Sequence, residues 1–129
     1  MMFPKWRAAG DGTTTKQAGD AAEEQALRHL QRAGLHLLER NYRTPGRGGG
    51  EIDLIMGAPD GTLVFVEVRR RASSHHGGAA ASVSAQKQRR IIFAARHYLL
   101  RWREPPPCRF DVLALEGDSV QWLQAAFTD

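Results

Sequence analysis

The sequence predicts an α/β fold, a mixed β-sheet flanked by helices in the order α-β-β-β-α-β-β. Three observations carry this expectation. Two segments, 17–33 and 84–103, repeat their apolar residues with the period of a helix. Two adjacent runs, 51–56 and 62–70, alternate apolar and polar residues around the Gly57–Gly61 turn. Two further short strand-like runs, 109–115 and 120–124, follow the second helical pattern.

Residues 1–16 mix Gly, Thr, Lys and Asp without periodicity and read as a flexible tail, leaving 17–129 as one domain. In the first helix Ala26, Leu27 and Leu30 share a face, and Gly34 stands just past its end as a stop. Leu35–Tyr42 reads as the first strand, and 44–50, rich in Gly, as a break. In the second strand Ile52, Leu54 and Met56 point one way and Glu51, Asp53 and Ile55 the other. In the third, Val64, Val66 and Val68 oppose Leu63, Phe65, Glu67 and Arg69. The short turn joins these two strands as a hairpin. Ser73–Ser82 is small and polar, a loop. The second helix buries Ile91, Ala94, Ala95, Tyr98, Leu99 and Trp102 and ends before Pro105.

The chain has 129 residues, enough for one core. Its single cysteine, Cys108, excludes an intramolecular disulfide and a Cys-based zinc site. No apolar run approaches the ~18 residues of a membrane span, and the first 16 residues contain no apolar core of a secretory signal. A cytoplasmic protein is expected.

The net charge is +4, and its distribution is uneven. Residues 69–109 carry ten bases, nine of them Arg, and one acid, Glu104. Guanidinium groups suit bidentate phosphate contacts, so Arg70, Arg71, Arg89, Arg90 and Arg96 are candidate nucleic-acid contacts. A solvated helix face is the plainer explanation.

The hairpin carries the candidate chemistry. With Gly57–Gly61 as the loop, Asp53 falls near Phe65 and lies diagonally from Glu67 on one face. Carboxylates among apolar neighbours are costly unless paired. They form either a structural ion-pair cluster or a site for a hard divalent cation, Mg²⁺ or Mn²⁺. On the first helix Glu23 lies within about 40° of Leu27 and about 20° of Leu30, and so projects from the apolar face. It pairs with an Arg or joins the metal site, whereas Glu24 points to solvent. Lys87 precedes Ile91 by four residues and starts on the buried side of its helix. Its stem snorkels outward, or its amine meets a phosphate or a carboxylate. His75 and His76 have no third ligand nearby. Asp111 reads as the partner of a helix Arg. The 46–50 segment lacks the Lys-Ser/Thr of a P-loop.

The string Gly50-Glu-Ile-Asp-Leu-Ile55, followed by Val64-Phe-Val-Glu-Val-Arg-Arg-Arg71, resembles the YraN family of uncharacterised bacterial proteins. Glu23, Asn41-Tyr-Arg43, Lys87-Gln-Arg-Arg90, Tyr98-Leu99 and Arg109-Phe-Asp-Val112 continue the resemblance over about residues 17–127. It implies a restriction-endonuclease-like fold of the PD-(D/E)XK phosphodiesterase group, similar to archaeal Holliday-junction resolvases. By motif, Asp53, Glu67 and Glu23 match the metal-binding acids, and Arg69 stands where the group has lysine. Arginine is always protonated and cannot act as a base. Either Lys87 substitutes, or the metal-bound water needs no side-chain base, or catalysis is reduced or lost.

The resulting expectation is a Mg²⁺-dependent phosphodiesterase that selects nucleic acid, DNA before RNA, by structure rather than sequence. Its candidate catalytic residues are Glu23, Asp53, Glu67, Arg69 and Lys87. A homodimer is compatible with the resolvase resemblance. The rival expectations are a catalytically silent nucleic-acid-binding module and a protein-interaction module using the Arg-rich helix.

Overall fold

The computed structural model describes residues 18–71 and 83–129. The tail expected over 1–16 and the loop with His75 and His76 lie outside the described residues. The elements are α1 (Ala18–Arg32), β1 (His36–Arg43), β2 (Glu51–Gly57), β3 (Leu63–Arg70), α2 (Ala85–Leu99), β4 (Cys108–Glu116) and β5 (Ser119–Phe127). The expected α-β-β-β-α-β-β order is therefore the observed one.

The five strands form one sheet in sequence order, β1-β2-β3-β4-β5. Only β3 and β4 run parallel, and α2 lies between them in the chain. Parallel neighbours need such a crossover because a tight turn can only reverse the chain. The other pairs are antiparallel, so the sheet is mixed as predicted.

Each face of the sheet has its own core. Ala26, Leu27 and Leu30 of α1 pack on Leu54, Met56, Val64, Val66, Leu113 and Leu115. Ile91, Ala94, Ala95 and Tyr98 of α2 pack on Ile52, Ile55, Leu63, Phe65, Phe110 and Val112. The alternation in β3 thus separates its two faces as the sequence predicts. In β2 it does not hold throughout. Ile52 packs with Ile55 on the α2 face, opposite to Leu54 and Met56. The alternation breaks at Asp53, between the pairs Arg40↔Leu54 and Tyr42↔Ile52. On β1 the intervening residue is Asn41, with φ 51°. An αL residue locally re-aims a strand.

The β2–β3 register also differs from the expected one. Ile55 faces Phe65, and Gly57 faces Leu63. The loop closes over Pro59, Asp60 and Gly61: Ala58 N donates to Thr62 O at 2.9 Å, and Gly61 has φ 92°. A three-residue loop ending in an αL glycine is a common hairpin solution. A register shift of two positions does not by itself move a side chain to the other face.

The second helix ends at Leu99 rather than Arg103. Leu100, Arg101 and Trp102 continue with i→i−3 hydrogen bonds, a tightening that precedes the prolines. β5 runs to Phe127, beyond the expected Gln124, and Phe127 stacks on Phe110 with centroids 5.1 Å apart.

Candidate active site

β2 and β3 are paired from Gly57/Leu63 to Leu54/Val66, where their register ends. β3 continues against β4 to the Arg70/Leu115 pair. Past Leu54, Asp53 Oδ2 accepts the Val68 N–H at 2.8 Å, so a side chain takes up this β3 donor. The two strands therefore part where Asp53 and Glu67 face each other. The expected diagonal relation is corrected to a direct one by the two-residue register shift.

Glu67 is 3% exposed, whereas Asp53 is half-buried. Glu67 Oε2 lies 3.4 Å from Arg69 Nη1 and 3.8 Å from Lys87 Nζ. Its other oxygen, Oε1, is buried with no hydrogen-bond donor among the described residues. Lys87 enters from the first turn of α2, where Ser84 Oγ accepts its N–H at 3.1 Å and caps the helix. The Lys87 side chain thus points to the pair, and the snorkelling alternative is overturned. Arg69 shares a face with Glu67 because the two are separated by two strand positions.

Burial pushes Glu67 up to about 8, and the charge of Asp53 adds to this, against the pull of Lys87. Asp53 is also raised, mainly by burial, although the Val68 N–H, a hydrogen bond with Glu67 and Lys87 oppose the rise. Two facing carboxylates out of water cannot both ionise cheaply. Burial and the facing charge therefore favour keeping a proton on the pair near neutral pH.

Glu23 does not complete a triad: no group of three or more metal-ligating side chains occurs among the described residues. Its helix packs on the α1 face, whereas Glu67 shares the α2 face with Phe65. A helical wheel shows that Glu23 turns inward but not which side of the sheet it meets. Its neighbour Glu24 is not simply solvated. It accepts from Arg40 Nη1 at 3.2 Å and ties α1 to β1.

The candidate phosphate contacts diverge. Arg70, Arg89 and Arg90 are exposed and Arg71 is half-buried. Arg96 is already engaged, its Nη2 and Nε 2.5 and 3.1 Å from the Asp129 carboxylate. Asp111 is fully buried, as a structural role requires, but its cation is Arg109 of its own strand rather than a helix Arg.

Sequence reasoning missed the contribution of 44–50. Thr44 Oγ1 accepts the Gly50 N–H at 2.9 Å, closing this segment over α2. A Cβ at Gly50 would stand 1.9 Å from Arg90 O, so only glycine permits this approach. The signal was present as the glycine before Glu51, but its neighbour lies 40 residues away.

No helix among the described residues is long and apolar enough to cross a membrane. The family model described as "Uncharacterised protein family UPF0102" matches residues 22–115. A UPF0102 protein of Albidiferax ferrireducens is 81% identical over 114 residues, 88% of this chain and 89% of its own. One from Paracidovorax citrulli is 69% identical over 126 residues, covering 94% of this chain and 93% of its own. One from Acidovorax sp. strain JS42 is 63% identical over 127 residues, 98% of this chain and 96% of its own. The chain belongs to the UPF0102 family, the bacterial family to which the YraN resemblance pointed.

Proposed function

We propose that this UPF0102 protein is a divalent-metal-dependent phosphodiesterase that acts on nucleic acid, DNA in the first instance, by structure rather than sequence. The observation that carries the reading is the Asp53–Glu67 pair where β2 and β3 part, Glu67 buried and Asp53 half-buried, with Lys87 and Arg69 beside it. Such shifted, paired groups are costly to maintain and cluster at functional sites.

The residues fit a hard cation. Both groups are carboxylates, and Glu67 Oε1 is a buried acceptor without a donor among the described residues. Asp53 and Glu67 would hold Mg²⁺ or Mn²⁺ in place of the pair's proton, and Glu23 is outside this set. When bound, the cation would polarise a phosphate oxygen and lower the pKa of a water. Arg69 supplies fixed positive charge for the phosphate. Lys87 brings the amine that Arg69 cannot, from α2 instead of β3, and orients Glu67.

A silent binding module of the same fold is the second reading. It is favoured by the two cations already held on Glu67 Oε2. Labelled branched and linear DNA and RNA, incubated with Mg²⁺ or Mn²⁺, decide between them. Cutting that is lost in Asp53→Asn, with binding retained on the same gels, supports the phosphodiesterase. Binding without cutting supports the module, and neither rejects both.

A further inference from the structure

A groove crosses the first turns of α2 beside the carboxylate pair. Its near part, about 320 Å³, is lined by Arg69, Ser84, Gln86, Lys87 and Arg90. Its far part, about 550 Å³, lies over the 46–50 glycines, with Arg43, Glu51, Gln86 and Arg90 among its walls. Gln86 and Arg90 line both parts, so the two meet at these residues.

The cations along this groove are not equivalent. Arg69 and Lys87 are held by Glu67. Arg43 leans on Glu51, with Nε 3.5 Å from Oε2. The Arg90 guanidinium has no hydrogen bond or ion pair to any described residue, and Arg90 stands where the two parts join.

Part of the groove wall is backbone. Gly46 and Gly48 have φ of 84° and 69°, and the N–H groups of Gly46, Gly48 and Gly49 donate to no described residue. Thr44 ties the two ends of this stretch together, and a Cβ at Gly49 would come within 2.0 Å of Thr44 Oγ1. Unpaired backbone donors and a guanidinium lining one groove are a sequence-independent way to hold a phosphate.

We propose that this groove holds the nucleic-acid strand flanking the reacting phosphate, with a neighbouring phosphate between Arg90 and the N–H groups of the Gly46–Gly49 wall. The placement of the reacting phosphate rests on the phosphodiesterase reading, whereas the flanking subsite is a separate binding property. It would hold a strand by its backbone and leave the bases unread. Glu51 lines the same part of the groove, and its carboxylate is paired with Arg43 Nε at 3.5 Å.

The test uses the full-length ¹⁵N-labelled protein without divalent metal, titrated with a five-residue oligothymidylate and, separately, with inorganic pyrophosphate. The oligonucleotide should shift the Gly46, Gly48 and Gly49 amides saturably. Arg90→Gln should weaken that binding about tenfold, as loss of a charge-assisted hydrogen bond does, while Arg90→Lys should restore part of it. Loop amides that do not move, or an unchanged affinity in Arg90→Gln, overturn the subsite even if the enzyme cuts DNA. Equal affinity for pyrophosphate overturns the strand assignment and leaves a general anion site. Loop shifts in a protein that cuts nothing with any divalent ion uphold the groove and reject the phosphodiesterase.

Discussion

Two buried acidic sites lie on neighbouring strands, and the protein treats them in opposite ways. Asp111 on β4 is fully buried, and every approach to it is filled. Arg109 Nε lies 3.0 and 3.2 Å from its two oxygens, Trp122 Nε1 donates at 2.9 Å and the Ala125 N–H donates at 2.9 Å. β5 even departs from its regular register there, with Ala125 at φ 51°, to present that N–H. The Asp53–Glu67 pair is satisfied only in part: Val68 N–H donates to Asp53, and Arg69 and Lys87 meet one oxygen of Glu67. It has a buried oxygen without a donor among the described residues, and burial pushes both carboxyl groups upward. A satisfied carboxylate is a structural cross-link. A facing pair with one buried oxygen left over is a cost that folding alone does not explain.

The comparison breaks most visibly through Asp53→Asn. If the pair is the catalytic centre, metal-dependent cleavage should fall about 10³-fold or more, the scale of removing a preorganised electrostatic group. The same variant should be more stable than the wild type by about 1 kcal/mol, because an amide can donate to Glu67 and ends the competition between two facing carboxyl groups. Cleavage assays and urea titrations on one preparation check both signs. Asp111→Ala should do the reverse. It strands the Arg109 guanidinium, the indole N–H and the Ala125 N–H, and should cost about 3 kcal/mol. Cleavage per folded molecule should stay at the wild-type level. Where Asp111→Ala fails to fold, Asp111→Asn gives the smaller loss with the same pattern.

A pH titration of stability separates the two sites without a substrate. Glu67 takes up its proton more readily in the folded chain than in the unfolded one, with a folded value of about 8 against 4.5. Between these values the folded state holds more protons, so stability should fall as pH rises from about 4.5 to about 8 and level off above. Glu67→Gln should flatten this part of the curve, and Asp111→Asn should leave it in place. A divalent cation competes with the pair's proton, so Mg²⁺ should raise the melting temperature more at pH 8 than at pH 6. That increment should vanish in Asp53→Asn and survive in Asp111→Asn. Equal Mg²⁺ stabilisation of both variants would remove the metal from the Asp53–Glu67 site.

How far the sequence foretold this contrast follows from the range of each signal. Alternation placed Glu67 and Arg69 on one face of β3, because side-chain direction in a strand is set two residues at a time. The facing of Asp53 and Glu67 was legible only in outline. The register depended on how Pro59-Asp60-Gly61 closes, and Ile52 changes face beside Asn41, whose φ is 51°. Helical periodicity showed that Glu23 and Lys87 turn inward, but not toward what. One helix covers each face of the sheet, so Lys87 reaches Glu67, while Glu23 belongs to the other layer. The donors around Asp111 were the least legible. The Ala125 N–H reaches it only through an irregularity in β5 that no pattern in 120–124 announces.

The smallest expected effect sharpens the claim that Asp111 is satisfied redundantly. Trp122→Phe removes one donor, the indole N–H, and keeps an aromatic ring against His29, whose centroid lies 5.8 Å from that of Trp122. Arg109 and the Ala125 N–H still hold the carboxylate, so the loss should be about 1 kcal/mol, the net worth of one hydrogen bond. Neither the slope of stability between pH 4.5 and 8 nor the cleavage rate should move. A loss near that of Asp111→Ala would mean that the indole carries the site alone. A changed pH slope would mean that the two acidic sites are coupled through β3 and β4, whose ladder pairs Val66 with Asp111 and Glu67 with Val112. In that case the carboxylate pair would owe its raised affinity for protons partly to its neighbour, and the division between a structural and a functional acid would fail.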